Sequence, residues 1–406
     1  LLITVTGDRT AEQCDRSIDE LERLLDTAGG VAVARIVQTK EYPDKATFIG
    51  SGKVIEVHDY IKQDGTVNLC VFDDELTPSQ IANLEKALDC QVIDRTMLIL
   101  DIFALHAATG EGKLQVEIAC LRYTAPRLTG RGKDMSRLGG GIGTRGPGES
   151  KLEMDRRRIR ARISLLQEQL DDLEKNRAVR RASRRKAALP SAAIIGYTNA
   201  GKSTLINYLT GAGILAEDKL FATLDPTTRI LNLPDGNDIL LTDTVGFIDR
   251  LPTHLVKAFK STLEELVYAD ILIMLTDYSE EESERARKRE VTKQMIADLG
   301  AGAKPLIEVY NKCDNAVDEG YLPHGAICIS AKTGAGIDNL LSALQKAVSE
   351  GKKEAKYFFP HGSEAKAAEM YRFARVISCD YTDEGQIITA ECDERASGMF
   401  AAFKMQ

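Results

Sequence analysis

The stretch Gly196-Tyr197-Thr198-Asn199-Ala200-Gly201-Lys202-Ser203 decides the fold. It has the form Gly-x-x-x-x-Gly-Lys-Ser, follows the apolar run Ala192–Ile195 and precedes a helical run, Ser203–Leu209. Strand, glycine-bearing loop and helix in that order turn several backbone N–H groups toward one point. The helix N-terminus adds partial positive charge there, and the product is a phosphate cradle. Lys202 would reach the β- and γ-phosphates of a nucleotide and Ser203 would bind its Mg²⁺. The phosphate-site candidates are Gly196, Tyr197, Thr198, Asn199, Ala200, Gly201, Lys202, Ser203 and Thr204.

Working outward, Ser191–Gly196, Ile239–Thr242, Ile271–Thr276, Leu306–Asn311 and Ile327–Ser330 are short apolar runs. That is how strands read in a mainly parallel sheet covered on both faces. Asp243-Thr244-Val245-Gly246 ends the second run. Asp243 would hold a Mg²⁺-bound water, and the Gly246 amide could bond a γ-phosphate. Asn311-Lys312-Cys313-Asp314 ends the fourth. A buried Asp314 carboxylate can accept from guanine N1–H and N2–H₂. Adenine offers neither, and a polar site left unpaired discriminates by as much as roughly 10⁴-fold. Ser330-Ala331-Lys332 follows the fifth run, where a backbone amide could meet guanine O6. All four motifs fall at strand ends, the edge where open α/β sheets hold ligands.

The chain has 406 residues, room for two or three domains. Its 43% apolar and 28% charged content is that of an ordinary globular protein. The longest apolar runs, such as Ile271–Leu275, fall far short of the roughly 18 residues of a membrane helix, so no membrane insertion is expected. The opening Leu-Leu-Ile-Thr-Val-Thr has no basic start and does not read as a signal peptide. Eight scattered cysteines without a Cys-x-x-Cys argue against a zinc site or disulfide framework, and fit a reducing cytoplasm.

Residues 1–109 read as an α/β subdomain with a mainly parallel sheet. Val31–Thr39 and Val67–Phe72 are β-rich, Gly52–Lys62 has helical spacing, and Thr77-Pro78 opens a helix running to about Asp89. A short strand, Gln91–Ile93, follows. Residues 110–186 read as a helical hairpin, 111–128 against 151–175. Leu152, Ile159, Ile163, Leu166, Leu170 and Leu173 form its heptad seam. At its tip, residues 130–148 hold eight glycines among Arg131, Lys133, Arg137 and Arg145. The opposite helix face carries Arg156, Arg157, Arg158, Arg160 and Arg162, and 177–186 reads as a basic linker. Arg122–Lys186 holds 19 Lys and Arg against 8 Asp and Glu, a net +11; the whole chain is −8, so the remainder carries −19. A basic segment in an acidic chain is the footprint of a polyanion contact. The acid-rich run Ser279–Arg285 reads instead as a helix start with surface pairs Glu281–Arg285 and Glu284–Lys288. After 191–349 and a polar linker, Gly351–Gly362, residues 363–406 hold two or three strands of a small α+β domain.

The whole is a multidomain α/β chain, and its motifs resemble those of the translation-factor-related P-loop GTPases. Within that class it is similar to the HflX family of ribosome-associated GTPases. The most specific stretches are Asp73-Asp-Glu-Leu-Thr-Pro-Ser-Gln80, Val92-Ile-Asp-Arg-Thr96, Gly112-Lys-Leu-Gln-Val-Glu117, and Gly140–Glu149 leading into Lys151-Leu-Glu153. His106 stands where the family pattern has an arginine. The resemblance implies a switch segment at Phe221, Ala222, Thr223, Leu224 and Asp225. The residues alone leave Thr223, Thr227 and Thr228 open as the threonine that completes the Mg²⁺ shell; the family pattern picks Thr223. The resemblance also implies the large ribosomal subunit and its rRNA as partners, and splitting or rescue of stalled or idle ribosomes under stress. The residues leave the oligomeric state open, with a monomer expected, and the expected location is the cytoplasm, free or peripheral to a membrane.

Many such GTPases place a water-orienting Gln after Asp-x-x-Gly. Here that residue is Phe247, which can neither donate nor accept. Slow intrinsic hydrolysis and activation by a partner are expected, unless Phe247 only packs and another group in the chain serves. Two rival readings are an ATP-driven RNA remodeller and a non-enzymatic scaffold whose nucleotide is structural.

Overall fold

The computed structural model describes residues 1–129, 147–186, 189–211, 220–221, 227–250, 265–316, 322–350, 353–392 and 394–405. Contacts divide the chain into two units. One comprises Leu1–Glu174 with Glu217–Asp225 and Ile248–Thr262; the other comprises Lys175–Ala216, Pro226–Phe247 and Leu263–Gln406.

The first unit is built on four parallel strands, β1 (Leu2–Val5), β2 (Arg35–Gln38), β3 (Leu69–Phe72) and β4 (Gln91–Asp94), in the order β2-β1-β3-β4. The opening hexapeptide, assigned no element from the sequence, supplies β1, buried at every position. Helices α1 (Ala11–Thr27), α2 (Ser51–Asp64), α3 (Pro78–Leu88) and α4 (Arg95–His106) connect and follow the strands. Their starts are encoded locally. Thr10 with Gln13, and Thr77 with Gln80, form capping boxes, and Pro78 sits in the first turn of α3. Asp94 caps α4 and also accepts from the Leu76 amide and from Tyr123 and Arg127. The Val92–Thr96 stretch thus ties β4, α4 and the next helix into one knot.

That next helix, α5 (Gly110–Thr124), passes into a 3₁₀ turn, Ala125–Thr129. Helix α6 runs Pro147–Lys186. It begins inside the stretch read as loop, with proline in its first turn, and it continues through 177–186, read above as linker. The Ala, Arg and Lys of that segment are strong helix formers, so nothing local stops it. Ile118 packs with Leu166 and Leu170, flanked by Leu114, Leu121 and Ile163. The seam is shorter than its heptads predict: Leu173 is 37% exposed. The glycine-rich tip with Arg131, Lys133, Arg137 and Arg145 lies outside the described residues.

The second unit has a six-stranded sheet in the order β10-β9-β8-β5-β7-β6. Its strands are β5 (Ser191–Gly196), β6 (Thr228–Asn232), β7 (Asp238–Asp243), β8 (Ile271–Asp277), β9 (Leu306–Asn311) and β10 (Ile327–Cys328). All pairs are parallel except β6–β7. Strand β6 escaped the sequence reading, since half its side chains face water at the sheet edge; Thr228, one of the switch threonines left open above, is its first residue. Helices α7 (Lys202–Thr210), α8 (Glu282–Asp298) and α9 (Ile337–Ser349) belong to this unit. At the start of α8 the pairs differ from those expected. Lys288 reaches Glu280, Arg287 reaches Glu284, and Arg285 is buried, stacked on Tyr278 and donating to its carbonyl. The flat Tyr278 face offered this guanidinium a better site than water beside Glu281.

Most of the segment read as linker, Gly351–Gly362, is strand. Lys353–Pro360 forms β11, whose Tyr357 and Phe359 are buried. With β12 (Arg375–Thr382) and β13 (Gly385–Cys392) it makes an antiparallel sheet, order β11-β13-β12, covered by α10 (Glu364–Phe373) and α11 (Glu394–Met399). The charged opening Lys353-Glu354-Ala355-Lys356 made the strand read as polar chain. Among the described residues no helix is long and apolar enough to cross a membrane.

Candidate functional site

At the C-terminal edge of the second unit's sheet, β5 ends on Gly196 and the chain turns through Asn199 (φ 63°) and Gly201 (φ 90°) into α7. Two glycines there are steric necessities. A Cβ on Gly196 would lie 2.3 Å from the Leu275 carbonyl oxygen, and one on Gly201 would lie 2.3 Å from Asn311 Nδ2. Lys202 is buried, and its Nζ donates to the Gly196 and Tyr197 carbonyls at 3.2 and 2.9 Å. Burial lowers its pKa to about 8, with Asp243 acting the other way. Thr198 Oγ1 is buried with no hydrogen-bond partner among the described residues.

The Asp243–Gly246 motif leaves β7 directly beside this loop. Ser203 Oγ donates to Asp243 Oδ2 at 3.1 Å, and Thr244 Oγ1 donates to the Ile194 carbonyl. The Thr198 amide donates to the Phe247 carbonyl at 2.7 Å, and the Phe247 amide returns a bond to Gly196 at 3.1 Å. A Cβ on Gly246 would meet Lys202 Nζ at 2.8 Å and Thr198 Cα at 2.9 Å. Phe247 itself is 1% exposed. Its side chain packs while its backbone braces the phosphate loop, so it is no candidate for orienting water. The hydroxyl of Ser203 and the carboxylate of Asp243 face each other as a hard-oxygen pair, the donor set Mg²⁺ prefers.

The base-side motifs lie at the ends of β9 and β10. The side chain of Asn311, read as a nucleotide contact, braces two loops. Its Nδ2 donates to the Ala200 carbonyl and its Oδ1 accepts from the Ala331 amide, each at 2.9 Å. The Ala331 amide is therefore engaged by protein, and the Ser330 amide bonds the Ala335 carbonyl. Asp314 was expected to be buried. It is exposed, its carboxyl held below the usual range first by the Ser330 hydroxyl. Guanine discrimination at this carboxylate requires the base itself to exclude the water. Lys312 adopts φ 67° and pairs with Asp277 at 2.6 Å. Asp277 was missed. Its signal was the one that marked Asp243, an acid at the end of an apolar strand beside the loop.

Ala222, Thr223, Leu224 and Asp225 lie outside the described residues. Phe221, placed beside the nucleotide by the resemblance, is a packing residue of the first unit. It is 2% exposed, with its ring edge-on to Phe103 at 4.7 Å.

A mainly parallel sheet with Gly-x-x-x-x-Gly-Lys-Ser, Asp-x-x-Gly, Asn-Lys-x-Asp and Ser-Ala-Lys at its strand ends defines a P-loop GTPase. Family models match in series: GTP-binding GTPase N-terminal over residues 15–104, GTP-binding GTPase Middle Region over 106–184, and 50S ribosome-binding GTPase over 191–312. The chain is 48% identical over 396 residues to GTPase HflX of Lacrimispora saccharolytica, covering 96% of this chain and 92% of that protein. It is 47% identical over 380 residues to the HflX of Caldanaerobacter subterraneus (93% and 87%), and 42% over 355 to that of Escherichia coli (86% and 82%). Among solved structures, a GTP-binding protein from Sulfolobus solfataricus in complex with GDP matches at 23% identity and a TM-score of 0.45, covering 86% of this chain and 98% of that one. The chain belongs to the HflX family of GTPases. Its reaction is hydrolysis of GTP to GDP and phosphate, and the non-enzymatic scaffold reading falls away.

Proposed function

We propose that this GTPase docks on the large ribosomal subunit in its GTP form, through α6 and the glycine-rich segment before it, and leaves after hydrolysis. The observation that carries the proposal is the arginine face of α6. Arg156, Arg157, Arg158, Arg160 and Arg162 are all exposed, while Leu166 and Leu170 of the same helix are buried. Two of the arginines meet carboxylates, Arg162 with Glu117 and Arg158 with Asp155, in surface pairs weak enough to exchange for phosphates. The charge segregation on this segment, and the 50S description of the family model over 191–312, support rRNA as the surface it meets. Arg131, Lys133, Arg137 and Arg145 enter on their sequence alone. Splitting or rescue of stalled or idle ribosomes is the role we assign to that cycle, in the cytoplasm and with a monomer as the acting form.

In the nucleotide site, Lys202 takes the β- and γ-phosphates, Ser203 and Thr223 ligate Mg²⁺ with Asp243 holding one of its waters, the Gly246 amide bonds the γ-phosphate, and Asp314 reads the guanine edge. Lys332 flanks the base, and Asn311 keeps the two loops in register. The ion, when bound, neutralises charge on the β- and γ-phosphate oxygens as it develops. With Phe247 buried, the chain holds no glutamine beside Gly246 to orient the attacking water, so a ribosome-supplied group or ribosome-ordered switch must do it.

Sedimentation with purified subunits, comparing a non-hydrolysable GTP analogue, GDP and no nucleotide, tests the proposal. The expected result is analogue-dependent retention on the large subunit that falls steeply with salt. Retention indifferent to the nucleotide sinks it.

A further inference from the structure

Two cysteines that no nucleotide chemistry calls for sit at the base-side motifs. Cys313 is the variable residue of Asn311-Lys312-Cys313-Asp314, and Cys328 ends β10 two residues before Ser330-Ala331-Lys332. Both belong to the second unit. Their sulfurs lie 2.7 Å apart, and Cys313 Sγ is also 3.3 Å from the Tyr310 carbonyl oxygen. Backbone bonds fix this approach. β9 and β10 pair with Cys328 beside Tyr310, the Ile329 amide donates to the Tyr310 carbonyl at 2.8 Å, and the Cys313 amide donates to the Ile329 carbonyl at 3.1 Å. Both cysteines are free thiols and partly exposed, so a small oxidant can reach them. The first unit holds a looser pair, Cys70 and Cys90 at 3.9 Å, in which Cys70 is fully enclosed.

The segments that the two sulfurs join are the ones assigned above to the base. Asp314 follows Cys313, and the Ser330 hydroxyl that holds its carboxyl lies two residues past Cys328. We propose that Cys313 and Cys328 are a site of reversible disulfide formation, and that the bond staples the Asn-Lys-x-Asp loop to the Ser-Ala-Lys loop and slows nucleotide release. The inference rests on the assignment of these loops to guanine but not on any ribosome contact.

The oxidant is hydrogen peroxide. Burial and the neighbouring Cys328 push the Cys313 thiol up, so Cys313 keeps its proton and the first attack falls to Cys328. The Cys328 sulfur attacks one peroxide oxygen, the O–O bond breaks, and the departing hydroxide takes the thiol proton and leaves as water. Cys328 is thereby oxidised to a sulfenic acid. The Cys313 sulfur then displaces that hydroxyl, which leaves with the Cys313 proton as a second water. Two thiols and one peroxide give one disulfide and two waters. Contact between the sulfurs favours this closure over reaction with an outside thiol. Guanine leaves when the loops on either side of it part. The new bond closes a loop through residues 314–327 and removes that freedom from the open state.

The test uses the full chain loaded with a fluorescent GDP analogue. Peroxide should yield a Cys313–Cys328 linked peptide pair, two hydrogens lighter than the reduced peptides. Release of the analogue should slow by about ten-fold, and dithiothreitol should restore it. Cys328→Ser should release at the reduced wild-type rate with or without peroxide. Cys313→Ser should also stay unslowed while Cys328 becomes one oxygen heavier, which reads the first step by itself should Cys328→Ser fail to fold. A pair that only packs would form no such link. Absence of the link in folded, peroxide-treated wild type, or a link that leaves release unchanged or faster, overturns the proposal. Failure of the reduced wild type to bind GDP would overturn the assignment of the base loops instead.

Discussion

Replacing Asn311 with alanine tests whether the phosphate loop and the base loop hold each other in place. The side chain is buried and makes two bonds of 2.9 Å, one to the Ala200 carbonyl and one from the Ala331 amide. Truncation removes both and leaves a buried C=O and N–H without their partner. A buried hydrogen bond contributes about 1 kcal/mol net, and an orphaned partner raises the loss to about 1–3 kcal/mol. Two such losses, at about 1.5 kcal/mol each, amount to about 3 kcal/mol of ordering that the nucleotide must then supply. That corresponds to a Kd for GDP about 150-fold weaker, or about 10-fold where a water fills the space and bridges the two groups. Asn311→Asp keeps an acceptor for Ala331 but sets a carboxylate oxygen against the Ala200 carbonyl, so its loss should be at least as large. Titration of a fluorescent GDP analogue into the full-length variants reads this directly. Binding by Asn311→Ala within three-fold of wild type would show that the loops are held by other contacts and would refute the cross-brace.

Three further outcomes follow from the same geometry. Because burial holds the unliganded Lys202 ammonium at about 8, GDP affinity should weaken above about pH 8, by up to ten-fold per pH unit, as the lysine loses its proton before phosphate arrives. Lys202→Ala should flatten that profile and abolish turnover, and a wild-type affinity constant from about pH 7 to pH 10 contradicts it. Gly246→Ala puts a methyl 2.8 Å from Lys202 Nζ and 2.9 Å from Thr198 Cα, and backbone cannot yield as a side chain tip can; turnover should drop at least about 100-fold with the circular dichroism unchanged. Burial alone would raise the Asp73 carboxyl, but Arg250 and Arg95 beside it bring it down to about 2. Its folded value lies below the unfolded value of about 3.9, so its contribution is present above about pH 4 and is lost as pH falls toward 2. Thermal melts across that window should steepen less for Asp73→Asn, which starts less stable at neutral pH; parallel curves would show that the cluster does not titrate there.

The motifs of the candidate site were legible because their parts are local. A glycine that must turn, a lysine after it, and an acid at the end of an apolar run are each set by a handful of adjacent residues. The apolar runs themselves announce a sheet covered on both faces. Thr77-Pro78 announces a helix for the same reason, since cap and first turn are neighbours in the chain. Strands half open to water were harder. β6 and β11 mix polar with apolar residues, and their register is decided by partners far along the chain: β6 lies against β7, and β11 against β13.

The sequence by itself determined the reaction class and the residue types that serve it, because phosphate, metal and base are met by short motifs whose chemistry needs few neighbours. The tertiary structure alone decided what those residues touch. Asn311 became a brace, Phe247 a buried backbone clamp, and Arg250 a guanidinium seated on Asp73, at a sequence separation of 177. A buried charge cannot remain alone, and which opposite charge comes to meet it is fixed only when distant segments are brought into contact.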